Sequence, residues 1–283
     1  MRINYHVHNG YSSDGRGTTE QVVQTAFDLG FDEICFTNHA EQLSPEGGDW
    51  SLDLVEARQL YELQQQEIER LQPVYPELRI LLGAELEYRP EWVETLDALV
   101  DSVDFDLIIG SVHVVDGHQI SGGSVGEYFK KRDASEAYGR YFELLEEMVD
   151  WAGFDVVGHF DLVKRFGTKF YGPFDAEPFE SQIRSTLDKM VGKGIGLEVN
   201  TSGVVQPPAE PYPGLDILRH AAEARIATVT IGSDSHVPTS FEQGIEVGER
   251  ALLRAGFGEI TLFSHRIRKN VPLDLDLEED DKG

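Results

Sequence analysis

Ile3-Asn4-Tyr5-His6-Val7-His8-Asn9-Gly10-Tyr11-Ser12-Ser13-Asp14-Gly15 reads as a short apolar strand running into a turn. Side chains alternate faces along a strand, so with residues 2–6 extended, His6 and His8 point to the same side. Gly10 and the Ser12-Ser13-Asp14-Gly15 turn can fold Asp14 back toward the pair. Two imidazoles and a carboxylate at one strand end suit a divalent transition metal. A half-exposed strand with two surface histidines gives the same short pattern. The other histidines decide between the two readings.

Working outward, the same strand-then-helix unit recurs. A capping-box start at Thr18–Gln21 opens a helix that Gly30 stops, and Glu33–Thr37 is the next strand, ending in Asn38-His39. A loop with Pro45–Gly48 leads to a helix over about 52–72, then strand Leu78–Leu82 runs into Gly83-Ala84-Glu85-Leu86-Glu87. Helix 91–103 precedes strand Phe105–Ile109, which ends in Gly110-Ser111-Val112-His113, and a Gly-rich excursion (Gly117, Gly122, Gly123) follows. Helix 134–151, strand Asp155–Val157 and Gly158-His159-Phe160-Asp161 come next. Helix 177–192 leads to strand Ile195–Val199 and Asn200-Thr201-Ser202-Gly203. Helix 214–224 leads to strand Ala227–Ile231 and Gly232-Ser233-Asp234-Ser235-His236, and helix 241–255 closes the series. Seven such units predict an α/β fold with a parallel sheet wrapped by helices. A closed or distorted seven-stranded (β/α)7 barrel over residues 1–272 is favoured, with an open doubly wound sheet as the other solution.

Residues able to bind metal sort by position in this scheme. His6, His8, Asp14, His39, Glu85, His113, His159, Asp234 and His236 each follow the apolar core of a strand, the end that carries the active site in parallel barrels. Of the 9 histidines only His118, His220 and His265 fall elsewhere. Taken singly, His39 or His159 is as well explained as a hydrogen-bonded loop histidine and Glu85 as an ion-pair partner. Taken together, nine donors exceed the needs of one zinc and predict a multinuclear site.

Composition narrows the function. The net charge is -27, with 51 acidic against 24 basic residues. Part of it lies in Leu273–Gly283, expected to be a disordered acidic tail. Such a surface repels nucleic acid and anionic membrane, so neither is an expected partner. Adaptation to high salt, or plain solubility, accounts for the balance. No apolar run nears the roughly 20 residues of a membrane span, and no cleaved leader is expected. Cys35 is the only cysteine and sits in an apolar strand, which fits a buried thiol in the reducing cytoplasm.

The chain resembles the PHP (polymerase and histidinol phosphatase) superfamily, in its monofunctional histidinol-phosphatase branch. The resemblance runs from residue 2 to about 270. It is carried by Asn4–His8, Ser12–Gly15, Phe36–His39, Gly83–Glu87, Gly110–His113 with Asp116-Gly117, Gly158–Asp161, Glu198–Gly203 and Gly232–His236. It implies a distorted seven-stranded barrel and three divalent metals per chain (Mn, Fe or Zn). By position, it implies a first metal on His6, His8, Glu85 and Asp234. A second would share Glu85 and take His113 and His159, and a third would take Asp14, His39 and His236. A hydroxide held between such cations is a nucleophile at neutral pH, so no serine or cysteine nucleophile is needed. Asp234 or His236 would protonate the leaving alkoxide.

The expected activity is that of a cytoplasmic phosphomonoesterase acting on a small phosphorylated substrate, L-histidinol phosphate of histidine biosynthesis. Arg165 is the preferred phosphate contact, because a guanidinium forms a planar fork, with Lys164 and Asn200 as further substrate contacts. A solvated basic pair explains Lys164-Arg165 equally well. Many relatives carry a basic residue soon after the Asn200–Gly203 segment, where this chain has Val204-Val205-Gln206. The alternatives are another hydrolase of the superfamily, a phosphodiesterase or a phosphatase of a different ester, and a non-catalytic metal-binding regulatory module. The complete donor set argues against the last.

Overall fold

The apolar runs picked out above form seven parallel strands: β1 (Ile3–Val7), β2 (Glu33–Phe36), β3 (Arg79–Glu87), β4 (Leu107–Ser111), β5 (Val156–Val157), β6 (Gly196–Asn200) and β7 (Val229–Gly232). They follow one another around the sheet in chain order, without the reversal that a doubly wound sheet requires. The computed structural model describes residues 1–43, 50–122 and 126–273. The Pro45–Gly48 loop, Gly123 and the acidic tail beyond Leu273 lie outside the described residues.

The sheet closes between its first and last strands. Asp234 N donates to His6 O at 2.9 Å and His8 N to Ser235 O at 2.8 Å, giving a parallel bridge between Val7 and Ser235. The distortion is visible in the β1–β2 ladder, which slips register between Asn4 and Val7, and in β5, only two residues long. Every residue of β1, β2, β4, β6 and β7 is buried, as expected where helices cover a parallel sheet.

Around the sheet lie α1 (Thr19–Asp28), α2 (Leu54–Leu71), α3 (Val93–Val100), α4 (Gly126–Lys130), α5 (Ala134–Trp151), α6 (Lys164–Tyr171), α7 (Glu180–Lys193), α8 (Leu215–Ala224) and α9 (Ile245–Ala255). Their ends follow local chemistry. Thr18 and Gln21 form the capping box of α1, and Asp53 accepts from Val55 N and Glu56 N to start α2. Gly194 ends α7 in the left-handed conformation. On α3, Leu96 and Leu99 are wholly buried, each contributing about 1.5–3 kcal/mol.

The structure departs from the sequence reading in four places, the short helix α4 being one that was not expected. Strand β3 continues through Glu87, so Glu85 lies on the strand rather than past its end. Helix α6 was not expected; it has no side-chain N-cap and begins on two basic residues, and contacts from elsewhere hold its first turn. After α9 the chain forms an antiparallel hairpin, β8 (Glu259–Ser264) and β9 (Ile267–Pro272), that plugs the opposite, N-terminal end of the barrel. There Arg266 Nε reaches both oxygens of Asp155 at 3.1 and 2.9 Å, Arg266 N donates to Asp106 O at 2.9 Å, and Phe263 N donates to the Tyr5 hydroxyl at 3.2 Å.

Asp155 is 4% exposed, so removing its cation leaves a buried carboxylate short of a partner. Arg266→Met should lower unfolding free energy by about 1–3 kcal/mol in a denaturant titration. An unchanged midpoint would show that the hairpin does not brace the barrel.

Candidate metal centre

Strand ends deliver the donors to one point. His6 and His8, both fully buried, leave β1 on the same face, as the alternation requires, and their Nε2 atoms stand 3.1 Å apart. Glu85 on β3 enters between them and a second pair. Its Oε2 lies 3.1 Å from His6 Nε2, 3.3 Å from His8 Nε2 and 3.4 Å from His39 Nδ1. Its Oε1 lies 2.8 Å from His159 Nε2 and 3.3 Å from His113 Nε2, themselves 3.2 Å apart. Asp234 Oδ1 closes the first pair at 3.6 Å from His6 and 3.4 Å from His8. Asp14 reaches over from its turn, with Oδ2 3.3 Å from His236 Nε2 and 3.9 Å from His39 Nε2.

Behind the imidazoles stands a layer of acceptors. His6 Nδ1 donates to Glu198 Oε1 at 2.6 Å, His8 Nδ1 to Ser12 Oγ at 3.1 Å and His113 Nδ1 to Glu87 Oε2 at 2.8 Å. His236 Nδ1 donates to the Asp234 carbonyl at 3.0 Å. A carboxylate or carbonyl can only accept, and the Ser12 hydroxyl already donates to Asn38 Oδ1 at 2.9 Å, so the proton belongs on Nδ1 and the Nε2 lone pair is left facing the centre. Glu198 serves twice, since its Oε2 also accepts from His159 N at 2.9 Å. Asp234 takes φ +54°, a left-handed value that few non-glycine residues adopt and that functional sites tolerate.

The electrostatics follow from this crowding. Burial works against the His6 imidazolium, yet Glu198, Glu85 and Asp234 raise its pKa well above the ordinary value. Burial likewise opposes His39, and Glu85, Glu41 and Asp14 together lift it to about 9. For His8 burial and the neighbouring His236 prevail and lower it. Burial would raise Glu85, but His6, His39 and His113 hold it well below the usual carboxylate range.

Neutral imidazoles paired nitrogen to nitrogen at 3.1–3.2 Å around one carboxylate repel unless a cation or proton lies between them. Nitrogen and carboxylate donors in this arrangement fit divalent transition metals. His6, His8 and Asp234 form one group whose donor atoms lie within 4.8 Å of one another; Glu85, His113 and His159 form a second; His8, His39 and His236 form a third. His39 Nδ1 lies 3.2 Å from Glu41 Oε1, and His159 Nδ1 is buried without a hydrogen-bond partner among the described residues.

A family model for the PHP domain matches residues 4–202, which is most of the chain. A protein of Deinococcus radiodurans named "Probable histidinol-phosphatase" is 30% identical over 266 residues, 92% of this chain and 96% of the relative. The "Histidinol-phosphatase" of Lactococcus lactis subsp. lactis is 28% identical over 272 residues, 95% and 97% of the two chains. The chain belongs to the PHP domain family, in its histidinol-phosphatase branch. A solved structure agrees: histidinol phosphate phosphatase from Lactococcus lactis, complexed with zinc, L-histidinol and phosphate, superposes with a TM-score of 0.81 at 26% identity. That match covers 95% of this PHP chain and 98% of the other.

In this PHP barrel the nine predicted donors come together, while the three predicted substrate contacts do not. The donors line or underlie a cavity of about 390 Å³, whose walls also include Trp50, Gln119, Leu162, Arg165 and Gln206. Arg165 is there, with no ion pair among the described residues. Lys164, one residue earlier, turns into the core and is ion-paired with Asp161 at 2.7 Å, so it does not reach the cavity. Asn200 is fully buried behind His6, its Nδ2 3.3 Å from Glu198 Oε2 and its Oδ1 taken by Ser202. The sequence reading missed Glu41, Glu87 and Glu198. Glu87 follows Glu85 by two on the same strand and Glu198 precedes Asn200 by two, so alternation alone places each beside a noted residue. His118, His220 and His265 stay outside the cavity, against Asp116 O, Glu180 with Glu223, and Asp104 respectively.

Two outcomes follow. Glu198→Gln leaves one acceptor oxygen, without charge, for the two donors His6 Nδ1 and His159 N, so metal affinity should fall about 10–100-fold by competition with a chromogenic chelator. Unaltered affinity would show that Glu198 does not orient the ring. Because imidazoles such as His39 are protonated in the metal-free protein at neutral pH, metal uptake must displace protons. Calorimetry in buffers of different ionisation enthalpy should count released protons at pH 7, with apparent affinity falling as pH is lowered. Proton-free uptake would contradict the raised pKa values.

Proposed function

We propose that this chain is a metal-dependent phosphomonoesterase hydrolysing L-histidinol phosphate to L-histidinol and inorganic phosphate, with three divalent metals at the strand ends. The observation that carries this is Glu85, each of whose oxygens serves a separate imidazole pair, at the floor of a cavity that also holds Arg165, without an ion pair among the described residues. The name shared by relatives over nearly their whole length supports the reaction, and the histidinol and phosphate in the Lactococcus lactis structure support the substrate. The cavity volume suits a small ester rather than a polymer. Cys35 as a buried thiol is in keeping with the cytoplasm.

In this reading His6, His8, Glu85 and Asp234 would hold the first metal, Glu85 with His113 and His159 the second, and Asp14, His39 and His236 the third. Bound divalent ions supply Lewis acidity toward phosphoryl oxygens and a lowered pKa for water. The protein's part is orientation. Glu198, Ser12 and Glu87 lock ring tautomers so that no reorganisation is needed during the reaction. Arg165 holds the phosphate through its planar fork. Asp234 and His236 stand on the rim where β7 ends; as metal ligands in this reading they would pass a proton to the departing alkoxide only through a water that they hold.

The deciding assay is phosphate release from histidinol phosphate, generic monoesters and phosphodiesters. Histidinol phosphate should be fastest, and a chelator should abolish activity that Mn²⁺, Fe²⁺, Co²⁺ or Zn²⁺ restores. Fastest cleavage of a diester, or full activity in verified metal-free protein, would overturn the proposal. A charge-assisted contact is worth about 1.5–3 kcal/mol, so Arg165→Ala should cost about 10–150-fold in kcat/KM. Part of that loss should fall on kcat, and Arg165→Lys should recover only some of it. Unchanged kinetics in Arg165→Ala would remove that residue from the site.

A further inference from the structure

Lys164, displaced from the phosphate, has a different place in the fold. It is the first residue of α6 and its side chain is wholly buried. Its ammonium has three donors, and all are used: Asp161 Oδ2 at 2.7 Å, Glu210 Oε1 at 2.8 Å and the Pro211 carbonyl at 3.1 Å, with the Tyr212 ring 5.2 Å away. Asp161 Oδ2 also accepts from Gly214 N at 3.1 Å. One buried ion pair therefore grips residues 210–214 and fastens them to the start of α6.

That segment controls a residue in the cavity wall. Tyr212 is joined to Asn200 by two backbone bonds of 2.9 and 2.7 Å, and its hydroxyl donates to Gln206 Oε1 at 2.8 Å. The Gln206 amide is thus oriented with its Nε2 free of partners among the described residues, in the same cavity wall as Arg165. The loop is also folded hard on itself. A Cβ at Gly203 would stand 2.2 Å from the Glu210 carbonyl, so a shift at 210 passes directly toward 203–206.

Stability is a poor reason for this lysine. Burying an ammonium costs several kcal/mol, and a cation on the first turn of a helix opposes the macrodipole. An apolar side chain would cover the same surface without either cost. What the ion pair supplies is a fixed geometry, because it is satisfied only when α6 and residues 210–214 stand in one relation.

Resting on the phosphatase reading above, we propose that Lys164 is a positioning residue. It ties residues 206–214 to α6 and so sets the spacing between the Gln206 amide and the Arg165 guanidinium, which grip separate oxygens of one phosphate group. Gln206 thereby provides a neutral donor opposite the guanidinium.

The test uses the metal-loaded full chain and inorganic phosphate as probe, titrated by calorimetry, alongside kinetics on L-histidinol phosphate. Gln206→Ala and Lys164→Met should each weaken phosphate binding about 5–10-fold and raise KM more than they lower kcat, with metal content at the wild-type level. The double variant should lie within about 2-fold of the weaker single, since Lys164 acts through Gln206. Multiplying effects in the double variant, loss of metal in Lys164→Met, or wild-type phosphate affinity in Gln206→Ala would overturn the proposal. If Lys164→Met does not fold, Glu210→Gln, at a half-exposed side chain, goes through the same cycle with the same outcomes. Phosphate titration needs no turnover, so a wild type inert toward histidinol phosphate would count against the substrate, and a failed cycle against the positioning.

Discussion

Glu85 is the constraint around which the barrel is arranged. Its carboxylate is 1% exposed and faces five imidazoles, an arrangement that demands cations or protons and cannot relax toward water. The rings come from β1 and from the ends of β2, β4 and β5, so the sheet must curve until these ends converge. The seam where it closes is built from site residues themselves: Asp234 N bonds to His6 O, and His8 N to Ser235 O. Gly232 makes the approach possible, since a Cβ there would sit 2.2 Å from His6 Cβ. Barrel closure and donor convergence are thus one event.

Charge is partitioned along the barrel axis. At the N-terminal end, the Asp155 carboxylate is answered by the Arg266 guanidinium, and the Asp106 carboxylate accepts from His265 N and Leu82 N. At the C-terminal end, carboxylates outnumber cations and the balance is left to whatever binds. With a net charge of -27 the protein repels a phosphate dianion at long range, although salt screens this beyond roughly 8–10 Å. Attraction must come from within the cavity, at short range. That makes each local donor count for more than it would on a basic protein.

What is legible in the sequence, and what is not, divides along the same lines. The strands and their terminal donors are legible because both obey short periods: apolar runs of fixed length, and a donor just past each. Strand alternation by itself is enough to put His6 and His8 on one face. Lys164 was misplaced because consecutive helical residues point about 100° apart, and nothing local tells which of Lys164 and Arg165 faces the core. Only Asp161 and Glu210, three positions earlier and 46 later, settle it. Helix α6 escaped for the same reason, its first turn being held by tertiary contacts. Glu87 and Glu198 stand within the motif segments and Glu41 two residues past one, but a search for donors at strand ends passes over carboxylates one layer behind.

This layering bears on how such a site can change. Most of the donors stand on strands or just past their ends, and His6, His8, His113 and His236 are each braced by a second polar group, so substitution there disturbs a network rather than a contact. Arg165 and Gln206 stand instead on α6 and on the loop after β6, where side chains can be exchanged without touching the sheet. The segment Val204-Val205-Gln206 brings no cation to the cavity. A neutral amide can replace a cation only if it is held in place, since a hydrogen bond between neutral partners is about half as strong as a charge-assisted one. The tyrosine that orients Gln206 and the ion pair that anchors its loop meet that condition. In the proposed site, rigidity at Gln206 thus stands in for a local charge.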